Sequence, residues 1–509
     1  MTRFLTARPW LLALLIGISS GFAASSALAW PLVLVLLIPL VSLLNNPHIA
    51  FPRALRIGFF FGLGYAGVLF LWTFTWLHLL VIAHLPVGIA VAMSSYSWTL
   101  TVGAPTVGYA LWAASHAWLW RKIPNRHLAA LLSSIAFVVL EILGTFLFQV
   151  TLMGKGGTLA PHFTYAMLGY TLAHSVLLIQ LAWLGGIWLL SFACIYTNIA
   201  LREVYIEKRF AFLLVPVMLF IVACSVFLYR SHPSTFPTLR VGLVHDNFDT
   251  NFVITNESIL KRQVTLNTQL LTLAQQKPAL VLMPEGSDVG ALDKDLRSRK
   301  EESGLANLLA EGVVVADAGV AELGTQQRTR LRYLGVVPEV FADKRVLLPQ
   351  GEYIPYIQQF LQGLIASPSS FAALQNERLF TPGDLNTNVA ILGGVVGARF
   401  CSESMSPFLY TYNTHKGAQL LVNVASHSWF AGSKLLTRRT ENIDQVRAVE
   451  SSRWFVQAGN KTTSLVIDPL GRIVLRIEDD IPRVFPVELR TDTSPYQWMA
   501  GKIMYAMGY

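Results

Sequence analysis

The sequence predicts a polytopic α-helical membrane domain followed by an α/β domain. Three observations predict it. The 509 residues are too many for one ordinary domain. Charged residues make up only 14% and the mean hydropathy is +0.49, too apolar for a soluble globular protein. The apolarity is also uneven: residues 1–229 hold 11 of the 39 Lys/Arg and 3 of the 30 Asp/Glu, which leaves 28 and 27 for residues 230–509.

A bilayer-crossing helix needs about 17–25 residues. Apolar runs near 9–28, 30–44 (short), 56–82, 87–118, 128–150, 172–200 and 210–229 give about seven spans on that measure. With the N-terminus inside, the inner segments carry Arg3, Arg8, Arg53, Arg56, Arg121, Lys122, Arg126, Arg202, Lys208 and Arg209, and the opposite loops carry only Lys155. That asymmetry fits the positive-inside rule and places everything after Arg230 outside, which in a Gram-negative cell is the periplasm. Arg3, Arg8 and Ala27-Leu28-Ala29 imitate a cleavable signal peptide, but the apolar sequence resumes at Pro31-Leu32-Val33, as in a tight helical hairpin. The net charge of +9 lies mainly in these short loops, so it is a topology signal and not a nucleic-acid surface.

Residues 230–238, with Pro233 and Pro237, read as a linker. From 239 to 491 short β-rich runs alternate with helical ones, as in an α/β domain. Strands are expected at Leu239–His245, Ala279–Met283, Gly312–Val315, Leu331–Val337, Val389–Val396, Gln419–Val424, Ser464–Asp468 and Arg472–Ile477, and helices at 256–276, 404–413 and 434–453. The tail, 492–509, is short for a span and is expected at the membrane interface.

Three places in the outer half could carry chemistry. The run Leu280–Met283 ends in Pro284-Glu285, which holds a carboxylate at a sheet rim, where a general base belongs. Lys344 precedes Leu347-Leu348-Pro349-Gln350-Gly351-Glu352-Tyr353 and could steady an oxyanion. Taken alone, each is more often a solvated surface residue. Cys401 follows the apolar run Val389–Val396 at a strand-to-helix turn, a setting that favours a thiolate nucleophile; a lone cysteine is otherwise a core residue. Cys194 and Cys224 fall in apolar spans, so Cys401 has no disulfide partner in its half. His415 and His427 lack the spacing of a zinc site, and no nucleotide-binding glycine motif is present.

Glu, Lys and Cys in that order, each after a strand, resemble the nitrilase superfamily, whose domains are α-β-β-α sandwiches. A nitrilase-like domain behind several spans resembles the apolipoprotein N-acyltransferase family in particular. The Lys344–Tyr353 stretch is similar to its Lys-x-x-Leu-Val-Pro-Phe-Gly-Glu-Tyr block, Phe380-Thr381-Pro382-Gly383 to its Pro-Gly turn, and Cys401-Ser402-Glu403 with Pro407 to its Cys-Tyr-Glu segment. Gln445–Arg453 resembles its Met-Arg-Ala-x-Glu-x-x-Arg helix, and Asn460 and Asp468-Pro469-Leu470-Gly471 follow in order. The resemblance implies Cys401 as nucleophile, Glu285 as general base, Lys344 as oxyanion stabiliser, and Glu352 and Glu403 in support. Trp429, Phe430 and Glu141 fall where substrate-side or positioning residues are expected. It further implies a phospholipid acyl donor, a diacylated apolipoprotein acceptor, no cofactor and no metal. Met283, Gln350 and Ser402 depart from the family's Trp, Phe and Tyr, and no Arg follows Glu141, which leaves the acceptor open. A membrane-tethered amidase using water, and a non-catalytic lipid- or lipoprotein-binding paralogue, are the alternatives. Transport fits less well, because the spans hold one acidic residue and, apart from Arg56 at an edge, no basic one.

Overall fold

The computed structural model describes residues 8–77, 86–232, 235–249, 255–365 and 380–506. Its first half is helical: α1 (Pro9–Ala24), α2 (Trp30–Leu44), α3 (Phe51–Leu69), α4 (Val87–Lys122), α5 (Arg126–Thr151), α6 (Leu181–Glu207) and α7 (Leu214–Arg230). By length and composition, Arg126–Thr151, Leu178–Glu207 and Phe210–Arg230 can cross a membrane, and α3 with 71–77 is a fourth candidate bent by 53°. The expected run 56–82 therefore breaks at Phe70, where the Thr73 hydroxyl donates to the freed Phe70 carbonyl (2.8 Å). Residues 78–82 of that run, Pro233 and Ser234 of the linker, and 507–509 of the tail lie outside the described residues.

The expected span 172–200 differs more. Residues Leu168–His174 form a 3-10 segment, and α6 is broken at Gly185 and Gly186. Gly186 has φ +62°, and a Cβ there would lie 2.3 Å from Tyr496 Cε2, so glycine meets both a backbone and a packing demand. The Ile187 N–H freed by this break donates to Glu450 Oε1 (2.8 Å) in the second half.

That half is a four-layer sandwich. One sheet runs β13-β1-β3-β4-β5-β6, with β1 Thr238–Leu243, β3 Leu280–Glu285, β4 Val314–Leu323, β5 Gln326–Leu334, β6 Val340–Asp343 and β13 Arg483–Glu488. The other runs β12-β11-β10-β9-β8-β7, with β7 Asn388–Ile391, β8 Gly394–Phe400, β9 Leu420–Ser426, β10 Phe455–Asn460, β11 Ser464–Ile467 and β12 Ile473–Ile477; β2 (His245–Asp246) pairs with β10. Leu282, Ala316, Val396, Val424 and Val456, from facing strands, share one buried core between the sheets. Helices α8 (Asn256–Gln276), α9 (Val289–Ser298) and α10 (Gly304–Ala310) cover the first sheet. Helices α12 (Leu409–His415) and α13 (Lys434–Ser451) cover the second; α11 (Tyr356–Ile365) lies between the two sheets in sequence.

Several expectations change here. Val389–Val396 is two strands and a turn, because Leu392 (φ +53°) and Gly393 (φ +74°) form the positive-φ pair that suits a tight hairpin. The helix expected at 404–413 is a 3-10 turn, Cys401–Met405, followed after Pro407 by α12. The tail forms α14 (Pro495–Ala506), which packs one face, with Tyr496, Ala500 and Met504, on the protein and leaves Trp498 and Ile503 exposed on the other. Tyr496 is fully buried, and its hydroxyl donates to the Pro407 carbonyl (3.2 Å). Strands β6, β10 and β13 were not expected.

Candidate active site

The sandwich brings three strand ends together. Glu285 is the last residue of β3, Lys344 follows β6, and Cys401 follows β8 in the opposite sheet. Strand β3 packs across onto β9 and β10, which closes the distance between sheets. The Lys344 ammonium lies 3.4 Å from Glu285 Oε1 and 3.1 Å from Glu352 Oε1, so one cation serves two carboxylates. Glu352 is oriented by the Thr329 hydroxyl (3.0 Å) and the Leu348 N–H (2.7 Å).

The backbone of Lys344 is pinned on both sides. Its N–H donates to the Thr329 carbonyl (2.9 Å), and its carbonyl accepts from the Gly383 N–H (2.8 Å). A Cβ on Gly383 would fall 2.3 Å from Asp343 Cβ, which is why the Pro382-Gly383 turn can approach so closely. Arg330 and Arg328 fix Asp343, at 2.7 and 3.1 Å, and so hold the end of β6.

Cys401 has φ +42°, a costly backbone for a residue with a side chain. Glu403 holds the turn. One carboxylate oxygen accepts from the Phe400 N–H (3.0 Å) and the other from the Arg345 and Val346 N–H groups (3.0 and 2.9 Å), tying the Cys401 turn to the lysine loop. The Cys401 thiol faces the Ser426 carbonyl at 3.7 Å.

The electrostatics follow from burial. Burial, reinforced by the negative charge of Glu285, pushes the Cys401 thiol up to about 12, against the pull of Lys344. The resting group is therefore a thiol, not the thiolate that a strand-to-helix turn suggests from sequence: desolvation outweighs the favourable dipoles. Burial likewise raises Glu285, which Lys344 only partly offsets. Burial alone would lower Lys344, but Glu285 and Glu352 outweigh it and keep the ammonium charged. The cluster thus holds a protonated thiol beside a carboxylate with raised proton affinity. Glu285 and Glu352 remain 17% and 14% exposed, so the cluster opens outward.

The other expected residues lie elsewhere. Phe430, just after β9, is buried against Trp72 (4.9 Å between ring centroids) and Trp76 (6.0 Å) of the helical half, while Trp429 is 44% exposed. Glu141 is not part of the Lys344 cluster. It accepts the Leu168 N–H (2.8 Å) and lies 3.1 Å from the Tyr109 hydroxyl, so it fixes the 3-10 segment below the sandwich. Sequence reasoning missed Arg439, whose guanidinium donates to the Tyr165 and Met167 carbonyls (3.0 and 2.6 Å) from the other side. It also missed Arg447 and Glu450, a fully buried pair at 2.6 Å. They lie in the helix motif quoted above, but their role depends on which half they face.

Both halves match known proteins. The family profile described as "Apolipoprotein N-acyltransferase N-terminal domain" matches residues 16–200, and "Carbon-nitrogen hydrolase" matches 364–490. The apolipoprotein N-acyltransferase of Pseudomonas syringae pv. tomato is 27% identical over 91% of this chain and 88% of its own. In both halves the chain is similar to the apolipoprotein N-acyltransferases. It is also similar to the enzymes of the same name from Geobacter metallireducens, 27% identical over 92% of this chain and 86% of its own, and from Azotobacter vinelandii, 28% identical over 93% and 88%. Among solved structures, an amidase from Nesterenkonia sp. matches 53% of this chain and 96% of its own length, at 16% identity and a TM-score of 0.35.

Proposed function

We propose that Cys401 takes an acyl chain from a phospholipid and passes it to the N-terminal amine of a diacylglyceryl-cysteine on an apolipoprotein. The chain is an acyltransferase and a membrane protein. The observation that carries the residue roles is the sharing of Lys344 between Glu285 and Glu352 beside the strained Cys401.

In the first transfer, the Cys401 sulfur attacks the ester carbonyl carbon while its proton passes to Glu285. A preformed thiolate is not needed, because the raised Glu285 is a better proton acceptor than an ordinary carboxylate. Lys344 faces the oxyanion of the tetrahedral intermediate. Collapse breaks the C–O bond, the leaving oxygen takes the proton from Glu285, and a lysophospholipid departs. In the second transfer, the acceptor amine attacks the thioester, gives its proton to Glu285, and the C–S bond breaks as the thiol is restored. Covalent catalysis divides one hard exchange into two easier ones. Both substrates are lipids, so a site resting on the helical half and opening at the outer face of the inner membrane suits them. The Lys/Arg asymmetry of the loops supports that orientation.

Intact-mass analysis of the protein incubated with phospholipid tests this. The expected result is one acyl adduct, labile to hydroxylamine and absent in Cys401→Ala. An adduct that persists in Cys401→Ala removes Cys401 as nucleophile.

A further inference from the structure

The segment between α5 and the 3-10 stretch Leu168–His174 crosses the sandwich like a strap. Gly154 bridges to Pro355, and the Tyr356 N–H donates to the Met153 carbonyl (2.8 Å), next to the loop that carries Lys344 and Glu352. Gly156 lies against Leu347 and the Phe380–Pro382 turn. The strap then reaches the far end of the nucleophile turn. His162 Nδ1 is 2.8 Å from the Ser406 hydroxyl, and the Thr164 hydroxyl donates to the Met405 carbonyl.

These contacts are on a path of their own. Thr164 is bonded to the Tyr170 hydroxyl, which takes the Arg447 guanidinium, and Arg447 is paired with Glu450. Glu450 accepts the Ile187 N–H at the break in α6. The Cys401 turn is therefore held from two sides. Glu403 and the lysine loop hold its start, and residues from the helical half hold its end.

A backbone in the left-handed region persists only where its surroundings over-determine it. Glu403 fixes Phe400 and the lysine loop, but Met405 and Ser406 are fixed by the strap. The His162 ring is 2% exposed, and its Nε2 has no hydrogen-bond partner among the described residues. A buried polar ring with one orphan nitrogen is unfavourable for stability, so its remaining bond to Ser406 needs a reason. Burial, with Arg399 and Arg345 nearby, also holds the imidazole down at about 3, so it stays neutral and acts by hydrogen bonding.

We propose that His162 and Thr164 are positioning residues for Cys401: supplied by the helical half, they fix the end of the nucleophile turn and so complete its reactive geometry. The proposal rests on Cys401 being the nucleophile.

The test uses full-length protein in phospholipid-containing micelles. It reads the rate of acyl-adduct formation, the apparent KM for phospholipid, and the pH profile of Cys401 alkylation from its peptide mass. His162→Ala and Thr164→Val are expected to slow adduct formation by roughly 10- to 10²-fold, the cost of a misplaced reacting group. The apparent KM should stay unchanged and the alkylation profile should shift. Thr164→Ser should restore the rate. So should His162→Asn, whose amide reaches the Nδ1 position, whereas His162→Gln, which reaches towards Nε2, should not. If His162→Ala fails to accumulate, the ratio of Asn to Gln decides, and equal rates overturn the proposal. Wild-type rates and alkylation profiles in His162→Ala and Thr164→Val overturn it too, while leaving Cys401 as nucleophile. An adduct surviving in Cys401→Ala instead brings down the nucleophile assignment, and the strap's role with it.

Discussion

The molecule holds two groups of buried charge that are wired in opposite ways. Around Lys344, one cation is divided between Glu285 and Glu352, the distances are 3.4 and 3.1 Å, and both carboxylates keep some exposure. At the junction of the halves, Arg447 and Glu450 form a closed pair at 2.6 Å, each 1% exposed, and each also bonds a group of the helical half. The first group has excess negative charge next to a thiol and can exchange protons. In the second, the paired ends also bond groups from the other half of the chain, Tyr170 and Ile187, so it docks the two halves. Burial alone does not separate chemistry from scaffolding; the stoichiometry of the partners does.

The largest expected effects break the first group. Glu285→Gln should slow both adduct formation and its resolution by about 10²–10⁴-fold, the usual loss for a general base. Lys344→Met should slow adduct formation by about 10²–10³-fold, as for a lost oxyanion donor. The melting temperature should fall little in Glu285→Gln, which removes one charge from a cluster with excess negative charge, whereas Lys344→Met removes the cation that two carboxylates share and should lower it as well. A large loss of stability with little loss of rate would erase the distinction between the groups.

The second group should behave in the reverse manner. Glu450→Ala leaves Arg447 buried and unpaired, which costs about 3–5 kcal/mol of stability. The double change Arg447→Met with Glu450→Leu should recover much of that, because a buried pair can often be replaced by apolar groups of similar volume. Chemical denaturation of the purified protein in micelles reads both. Equal destabilisation in the single and double variants would mean that the pair is needed for more than docking.

Smaller effects sharpen the picture. Glu352→Gln can keep the bond from the Leu348 N–H through its amide oxygen, with the Thr329 hydroxyl turning to accept from the amide, but it removes the charge that faces Lys344. A hydrogen bond to a charged group is worth about 1.5 kcal/mol at the low end, which is roughly ten-fold in rate. The pH dependence follows from Glu285. It must be ionised to accept a proton, and burial raises its affinity for one, so activity should fall on acidification at a pH above the ordinary glutamate range of about 4.3. That acid limb should vanish in Glu285→Gln. Alkylation of Cys401 should rise with pH without a plateau near neutrality, because the thiol is pushed up to about 12.

The two groups also differ in how far the sequence revealed them. Glu285 and Cys401 stand at the ends of apolar runs, where a change of hydropathy marks the rim of a sheet. Lys344 follows the short strand Val340–Asp343, which has too few residues to show a period, so taken alone it reads as a surface lysine and the resemblance gave it its weight. Strand β13 was hidden by Pro486, a residue that argues against a strand; it is tolerated because β13 is at the edge of its sheet. Leu392 concealed a hairpin because leucine is a poor turn residue, and only its neighbour Gly393 hinted at one. The break in α6 and the strap were out of reach for a different reason. Each is stabilised by a partner hundreds of positions away, such as Glu450 for Ile187 or Ser406 for His162, and no local pattern encodes that.

The central claim is that the thioester on Cys401 is resolved by an amine and not by water. It is tested most directly with a phospholipid labelled in its acyl chain and a diacylglyceryl-cysteinyl peptide. The label should move to the peptide amine with ping-pong kinetics, and free fatty acid should remain minor. Label released as free acid at the same rate with or without the peptide would contradict the account and make the protein a hydrolase.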